Sequence, residues 1–77
     1  MAVKIYSTPT CPWCAKTKEF FKANKISFTD VDVSKNKKAA EEMVKKSGQM
    51  GVPVIEINGE IIVGFKQDAL KKALKLK

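Results

Sequence analysis

Apolar and polar positions along the chain recur with two periods, and the switches between them mark the elements. Val3 to Ser7 is a short, mostly apolar run that predicts a strand. From about Pro12 to Asn24, the positions Cys14, Thr17, Phe20, Phe21 and Asn24 follow helical spacing, with the phenylalanines facing a core. Pro12 suits the first turn of that helix, where a missing N–H costs nothing. From Ile26 to Val33 the period returns to two, predicting a second strand that starts exposed and finishes deep. A second helix is expected over about Asn36 to Ser47, capped by Ser34 and stopped by Gly48, with Ala40, Met43, Val44 and Ser47 facing inward. Val54 to Ile57 and Glu60 to Val63 flank Asn58-Gly59, whose tolerance of positive φ favours a type I′ hairpin turn. Gly64 breaks this run, and a third helix is expected over about Gln67 to Leu76, with Leu70, Ala73 and Leu74 on one face.

The order is therefore β-α-β-α-β-β-α, an α/β arrangement in one domain spanning residues 1–77. The first βαβ unit must be parallel and right-handed. The hairpin then extends the same sheet in the antiparallel sense. The expected product is a four-stranded mixed sheet flanked by three helices on its two faces.

Composition narrows the function. A hydrophobic content of 44% suffices for one small core. The formal net charge is +7, and all 15 basic residues are lysine. Bidentate recognition of guanine and phosphate leans on arginine, so specific nucleic-acid binding is disfavoured. Lysine pairs such as Lys37-Lys38, Lys45-Lys46 and Lys71-Lys72 lie on expected helices, as solvated faces or as steering charge for an acidic partner or an anionic thiol. Met1-Ala2 leads straight into the first strand, unlike a secretory leader, and no apolar run approaches membrane-spanning length. A cytoplasmic monomer that avoids membranes is expected.

The candidate chemistry sits at the first strand–helix junction. Cys11-Pro12-Trp13-Cys14 holds the only two cysteines of the chain. A thiolate at a helix N-terminus is stabilised by unpaired N–H groups and by the helix dipole. A Cys11–Cys14 bridge closes a very short loop and so adds little stability, which favours a chemical role over a stapling one. Structural zinc takes four ligands, whereas this chain offers two cysteines and no histidine, so no metal is expected. Cys11 is the candidate nucleophile, expected at the N-cap with its sulfur near the N–H groups of Trp13 and Cys14. Cys14 is one turn further on the inner side, as resolving thiol, small core residue or both. Pro12 removes a donor near the sulfur, and Trp13 is expected to be exposed beside the nucleophile as a substrate surface. Gln49 is either a partner for an incoming carboxylate or a solvated loop residue. Residues Gly64, Phe65, Lys66, Gln67 and Asp68 lead into the third helix, whose N-terminus suits a carboxylate; Asp68 serves equally as an ordinary helix-start residue.

Three segments carry a family resemblance: Tyr6-Ser7-Thr8-Pro9-Thr10-Cys11-Pro12-Trp13-Cys14, Gly51-Val52-Pro53 and Val63-Gly64-Phe65. In this order and spacing, over nearly the full length, the chain resembles a glutaredoxin, the thioredoxin fold in its smallest form. Trp13 stands where glutaredoxins usually have tyrosine, and Gly64-Phe65 where they carry a Gly-Gly turn. Thr8 replaces their usual lysine or arginine, which pairs with a glutathione carboxylate. Lys66-Gln67 stands where they often have acidic residues that hold the glutathione amine. The stretch Gly64 to Asp68 looks more like the glutaredoxin-like redoxins that reduce ribonucleotide reductase with electrons from thioredoxin reductase.

The resemblance implies a thiol–disulfide oxidoreductase acting on protein disulfides or glutathione mixed disulfides, with glutathione or thioredoxin reductase as reductant. It implies a cis bond before Pro53, opposite Cys11, leaving Val52 backbone groups for a bound peptide or thiol. Without it, Pro53 is simply a strand-entry proline. Two rivals come from other classes: a dimer bridging an iron–sulfur cluster through Cys11 and glutathione, and a basic binding protein with a vestigial dithiol.

Overall fold

The computed structural model describes residues 2–75. Its elements are β1 (Val3–Ser7), α1 (Pro12–Ala23), β2 (Thr29–Asp32), α2 (Lys37–Ser47), β3 (Val54–Ile57), β4 (Glu60–Val63) and α3 (Gln67–Leu74). The strands form one sheet in the order β2-β1-β3-β4. β1 pairs with β2 in parallel and with β3 antiparallel, and β3 pairs antiparallel with β4. The expected minimal thioredoxin fold is therefore present.

Period-two alternation on the central strands divides the core between the faces. Val3, Ile5, Ile55 and Ile57 point to one side, where Phe21 of α1 and Leu70 and Leu74 of α3 complete the larger cluster. Tyr6 and Val54 point to the other side and meet Met43 of α2. Burying Tyr6 there requires a partner for its hydroxyl, which donates to Glu42 Oε1 at 2.7 Å. Lys46 joins this group through Glu42 at 3.2 Å and Glu56 at 2.7 Å, pinning α2 to β1 and β3.

Three details differ from expectation. The second strand starts at Thr29 instead of Ile26, because α1 ends in a Schellman motif that consumes the residues between. Lys25 adopts the left-handed conformation (φ 56°), its N–H bonds to Lys22 C=O, and the Ile26 N–H bonds to Phe21 C=O at 2.8 Å. The sequence signal was hidden because lysine stands where glycine is usual. The strand also finishes half-buried rather than deep, since it lies at the sheet edge. Ser34 does not cap α2: its N–H and hydroxyl both bind Asp32, and Asn36, one residue before the helix, accepts from the Ala39 N–H at 3.0 Å. Gly48 ends α2 in the left-handed conformation (φ 74°), as expected.

Asn58 and Gly59 both have positive φ, as the hairpin required. Asn58 also accepts from the Ala2 N–H at 3.0 Å and donates its own N–H to Ala2 C=O, tying the hairpin to the start of β1. α1 ends at Ala23 with Asn24 as its C-cap, and α3 ends at Leu74 with Lys75 left-handed. Leu76, the expected last residue of that helix, lies outside the described residues.

The Schellman cap generates a stability prediction. A non-glycine residue in the left-handed region costs about 1–2 kcal/mol, part of which glycine returns as unfolded-state entropy. Lys25→Gly should therefore stabilise the protein by about 0.5–1 kcal/mol in urea denaturation, with an unchanged m-value. A loss of stability would contradict the cap assignment.

Candidate active site

β1 delivers the chain to the start of α1, and Cys11 is the N-cap, with extended backbone (φ −89°, ψ 112°). Its sulfur accepts a hydrogen bond from the Cys14 N–H at 3.2 Å, so one orphan donor of the helix is satisfied by sulfur. The Cys11 N–H donates to Thr8 C=O at 3.3 Å, closing the turn between β1 and α1. The first turn of α1 carries no acidic side chain to oppose a thiolate there. The Cys14 N–H makes the contact; Trp13, the other expected donor, contributes its C=O instead, to the Thr17 hydroxyl at 2.8 Å.

The two thiols are free and differ sharply in setting. Cys11 is half-buried, whereas Cys14 is 1% exposed. Burial, and secondarily the neighbouring Cys11, push the Cys14 thiol up to about 12, against an opposing pull from the Thr8 backbone and Lys18. The arrangement thus separates one accessible sulfur at a helix N-terminus from one protonated sulfur behind it.

Facing Cys11 is the loop before β3. The Val52–Pro53 peptide is cis, and the Val52 carbonyl lies 3.9 Å from the Cys11 sulfur. Val52 precedes β3, so its backbone groups fall outside the sheet ladders. Gln49 shapes this loop. Its side-chain amide accepts from the Gly51 N–H and donates to Gly51 C=O at 3.0 Å and Ser47 Oγ at 3.3 Å. Both ends of the Gln49 amide are thus occupied locally, in a loop-holding role that neither sequence reading of this residue foresaw. A Cβ on Gly51 would sit 2.7 Å from Gln49 Oε1, so the clamp depends on glycine there.

Pro53 C=O accepts from the Gly64 N–H at 2.8 Å, and Gly64 has φ 83°. This turn presents Phe65, whose ring centroid is 6.3 Å from Trp13 and 5.9 Å from Phe20. Contacts therefore run from Cys11 through Val52-Pro53 and Gly64-Phe65 to Trp13. Trp13 is 56% exposed, as expected, and Lys16 Nζ stands 4.7 Å above its indole ring. Lys66 and Gln67 are exposed at the start of α3, and the Lys66 side chain makes no capping bond.

Thr8, Pro9, Cys11 and Lys18 line a groove of about 250 Å³ beside the dithiol. Lys18 in it binds Asp30 at 2.6 Å, and Asp30 in turn accepts from the buried Ser7 hydroxyl at 2.6 Å. Sequence reasoning missed Lys16, Lys18, Ser7 and Asp30. Lys16 and Lys18 had a usable signal, lying three residues after Trp13 and four after Cys14 on one helix. Asp30 had none, because only the parallel pairing of β1 and β2 brings it to the site.

Known proteins resemble this chain over most of its length. A glutaredoxin family model matches residues 3–62. A glutaredoxin-like 8.6 kDa protein in the rubredoxin operon of Clostridium pasteurianum is 55% identical over 73 residues, covering 95% of this chain and 97% of that protein. The crystal structure of a glutaredoxin from Archaeoglobus fulgidus superposes with a TM-score of 0.89 at 31% identity, covering 97% of this chain and 88% of its own. NrdH-redoxin from Escherichia coli, described as a glutaredoxin-like protein with a thioredoxin-like activity profile, superposes with a TM-score of 0.85 at 25% identity, covering 94% and 93%.

Two expectations follow from the contrast between the thiols. At pH 8, iodoacetamide should label Cys11 at least about tenfold faster than Cys14, as read by mass spectrometry of the reduced protein. The stability of the reduced protein should also depend on Cys14. Its pKa is raised above the ordinary value of about 9, so the unfolded chain binds fewer protons as pH rises above 9. Stability should then fall with pH from about 9 upward, and Cys14→Ser should flatten that decline in denaturant titrations.

Proposed function

Since the chain belongs to the glutaredoxin family, we propose that it is a dithiol oxidoreductase reducing protein disulfides or glutathione mixed disulfides through Cys11 and Cys14. The observation that carries this reading is the Cys11 sulfur at the helix N-cap, 3.2 Å from the Cys14 N–H, with the Cys14 thiol buried behind it.

The steps follow from the geometry. The Cys11 thiolate attacks one sulfur of the substrate disulfide, forming a mixed disulfide and expelling the other sulfur as a thiolate. The Cys14 N–H, 3.2 Å from the Cys11 sulfur at the α1 N-terminus, holds that sulfur in place for the attack. Val52 beside the cis Pro53 offers backbone groups to an extended substrate segment, in the manner of an added strand. Trp13 and Phe65 supply an apolar surface that continues this rim. The Cys14 thiolate then attacks Cys11, releasing the reduced substrate and leaving a Cys11–Cys14 disulfide. Glutathione as co-substrate, or thioredoxin reductase, returns that disulfide to the dithiol.

A second reading makes the protein a thioredoxin-reductase-dependent donor to ribonucleotide reductase. It is favoured by uncharged Thr8 beside Cys11, by the Gln49 amide turned onto Gly51, and by Lys66-Gln67 after the Gly64 turn. These positions leave few side chains for both ends of glutathione. The similarity to NrdH-redoxin supports the same reading.

Disulfide reduction with the two electron donors in parallel separates the readings. Turnover with glutathione and glutathione reductase supports the first, and turnover only with thioredoxin reductase and NADPH supports the second. In either system Cys11→Ser should lower activity at least about a thousandfold, because the other thiol, Cys14, is buried away from an incoming substrate disulfide. Activity surviving that substitution would sink both.

A further inference from the structure

The dithiol has a charged neighbour that its two steps, as described, leave unused. Lys18 lies four residues after Cys14 on α1, which places the two side chains one turn apart on the same helix face. Its side chain is only 26% exposed, and it lines the groove that Cys11 also lines. A lysine stem this long would ordinarily extend to water. Here Asp30 Oδ2 holds the ammonium at 2.6 Å, and the Ser7 hydroxyl fixes Asp30 through its other oxygen at 2.6 Å. Three elements thus contribute to fixing one positive charge: β1 through Ser7, β2 through Asp30 and α1 through Lys18.

We propose that Lys18, pinned by Asp30 and Ser7, is a positioning residue for the second step, holding positive charge beside the Cys14 sulfur as that sulfur becomes the attacking thiolate. The inference rests on the dithiol reading above. In the step concerned, the Cys14 thiol gives up its proton to solvent. The sulfur's electron pair forms the bond to Cys11, and the bond between Cys11 and the substrate sulfur breaks. The departing thiolate keeps that electron pair and takes a proton from solvent. The substrate is reduced and the Cys11–Cys14 pair oxidised, with no further reactant required.

The need for such a charge follows from the burial of Cys14, which holds its thiol protonated. The groups around it are few. Cys11 and the Thr8 backbone lie at the helix start, Lys18 on the same helix, and Asp30 behind Lys18 on β2; Glu19 and Lys22 line the groove further along. Of these, Lys18 is the cation that favours the Cys14 thiolate. Asp30 keeps the ammonium in place while leaving the sulfur itself to Lys18. The first step does not need this charge, because the Cys11 sulfur has the helix N-terminus and the Cys14 N–H.

A chromogenic aromatic disulfide resolves the two steps in one experiment. Cys11 attack releases the first equivalent of coloured thiolate, and Cys14 attack releases the second. In stopped-flow traces at pH 7, Lys18→Met should leave the first phase within about twofold and slow the second by about three- to tenfold. That range reflects about tenfold less thiolate per unit rise in pKa, offset about threefold by greater nucleophilicity. Lys18→Arg retains the charge and should restore the second phase to within about twofold of the parent. Lys18→Gln carries the same expectation as Lys18→Met should that variant not fold. Equal slowing of both phases, an unchanged second phase, or failure of arginine to rescue overturns the inference. If the parent protein releases only one equivalent, the dithiol reading fails and this inference with it. Two equivalents with no dependence on Lys18 charge would defeat the inference alone.

Discussion

The first turn of α1 needs acceptors for its unpaired N–H groups, and the chain supplies the Cys11 sulfur where a serine or aspartate would usually stand. That substitution ties folding to chemistry. A helix start that needs an acceptor and a sulfur that needs donors are satisfied by the same 3.2 Å contact. Pro12 at the next position leaves no N–H to waste, and no acidic residue in that turn competes for the donors. The sheet serves this junction, because β1, paired on both sides, is the strand that fixes where α1 begins.

Burial creates the division of labour between the cysteines. One turn of helix carries the chain from a half-buried sulfur to one that is 1% exposed, packed behind the first. A buried thiol that stays protonated will not attack the wrong disulfide, but in the proposed dithiol mechanism it must still ionise to finish the reaction. The Ser7–Asp30–Lys18 chain is built where that demand arises. A polar cluster this close to a core is tolerated because each member has a partner: the Ser7 hydroxyl has Asp30, and Asp30 has Lys18.

The opposite rim is assembled from loops, and each is held by its own hydrogen bonds. Gln49 clamps Gly51, the Val52–Pro53 bond is cis, and Pro53 C=O takes the Gly64 N–H, which sets Phe65 against Trp13. Thr8 on this side is uncharged and the Gln49 amide is occupied, the two features on which the proposed second reading rests. Backbone and apolar surface make up the rest of the rim, and in that reading they would receive a protein segment.

The sequence by itself determined the element order, the hairpin at Asn58-Gly59, the two-sided core and the placement of Cys11 at a helix start. These follow from local periods, from positive-φ preferences and from the strand–Cys-x-x-Cys–helix layout, all of which act over a few residues. It also carried the family, through three spaced segments. Two boundaries were hidden because local rules competed: Lys25 took a left-handed position without glycine, and Asp32 captured Ser34 before it reached α2. Only the tertiary structure decided which residues surround the thiols. Asp30 reaches Lys18 through parallel strand pairing, Phe65 reaches Trp13 through the Gly64 turn, and Gln49 turns inward because Gly51 leaves it room. Contacts between residues distant in sequence depend on how strands and loops meet in space, and no local pattern encodes that meeting.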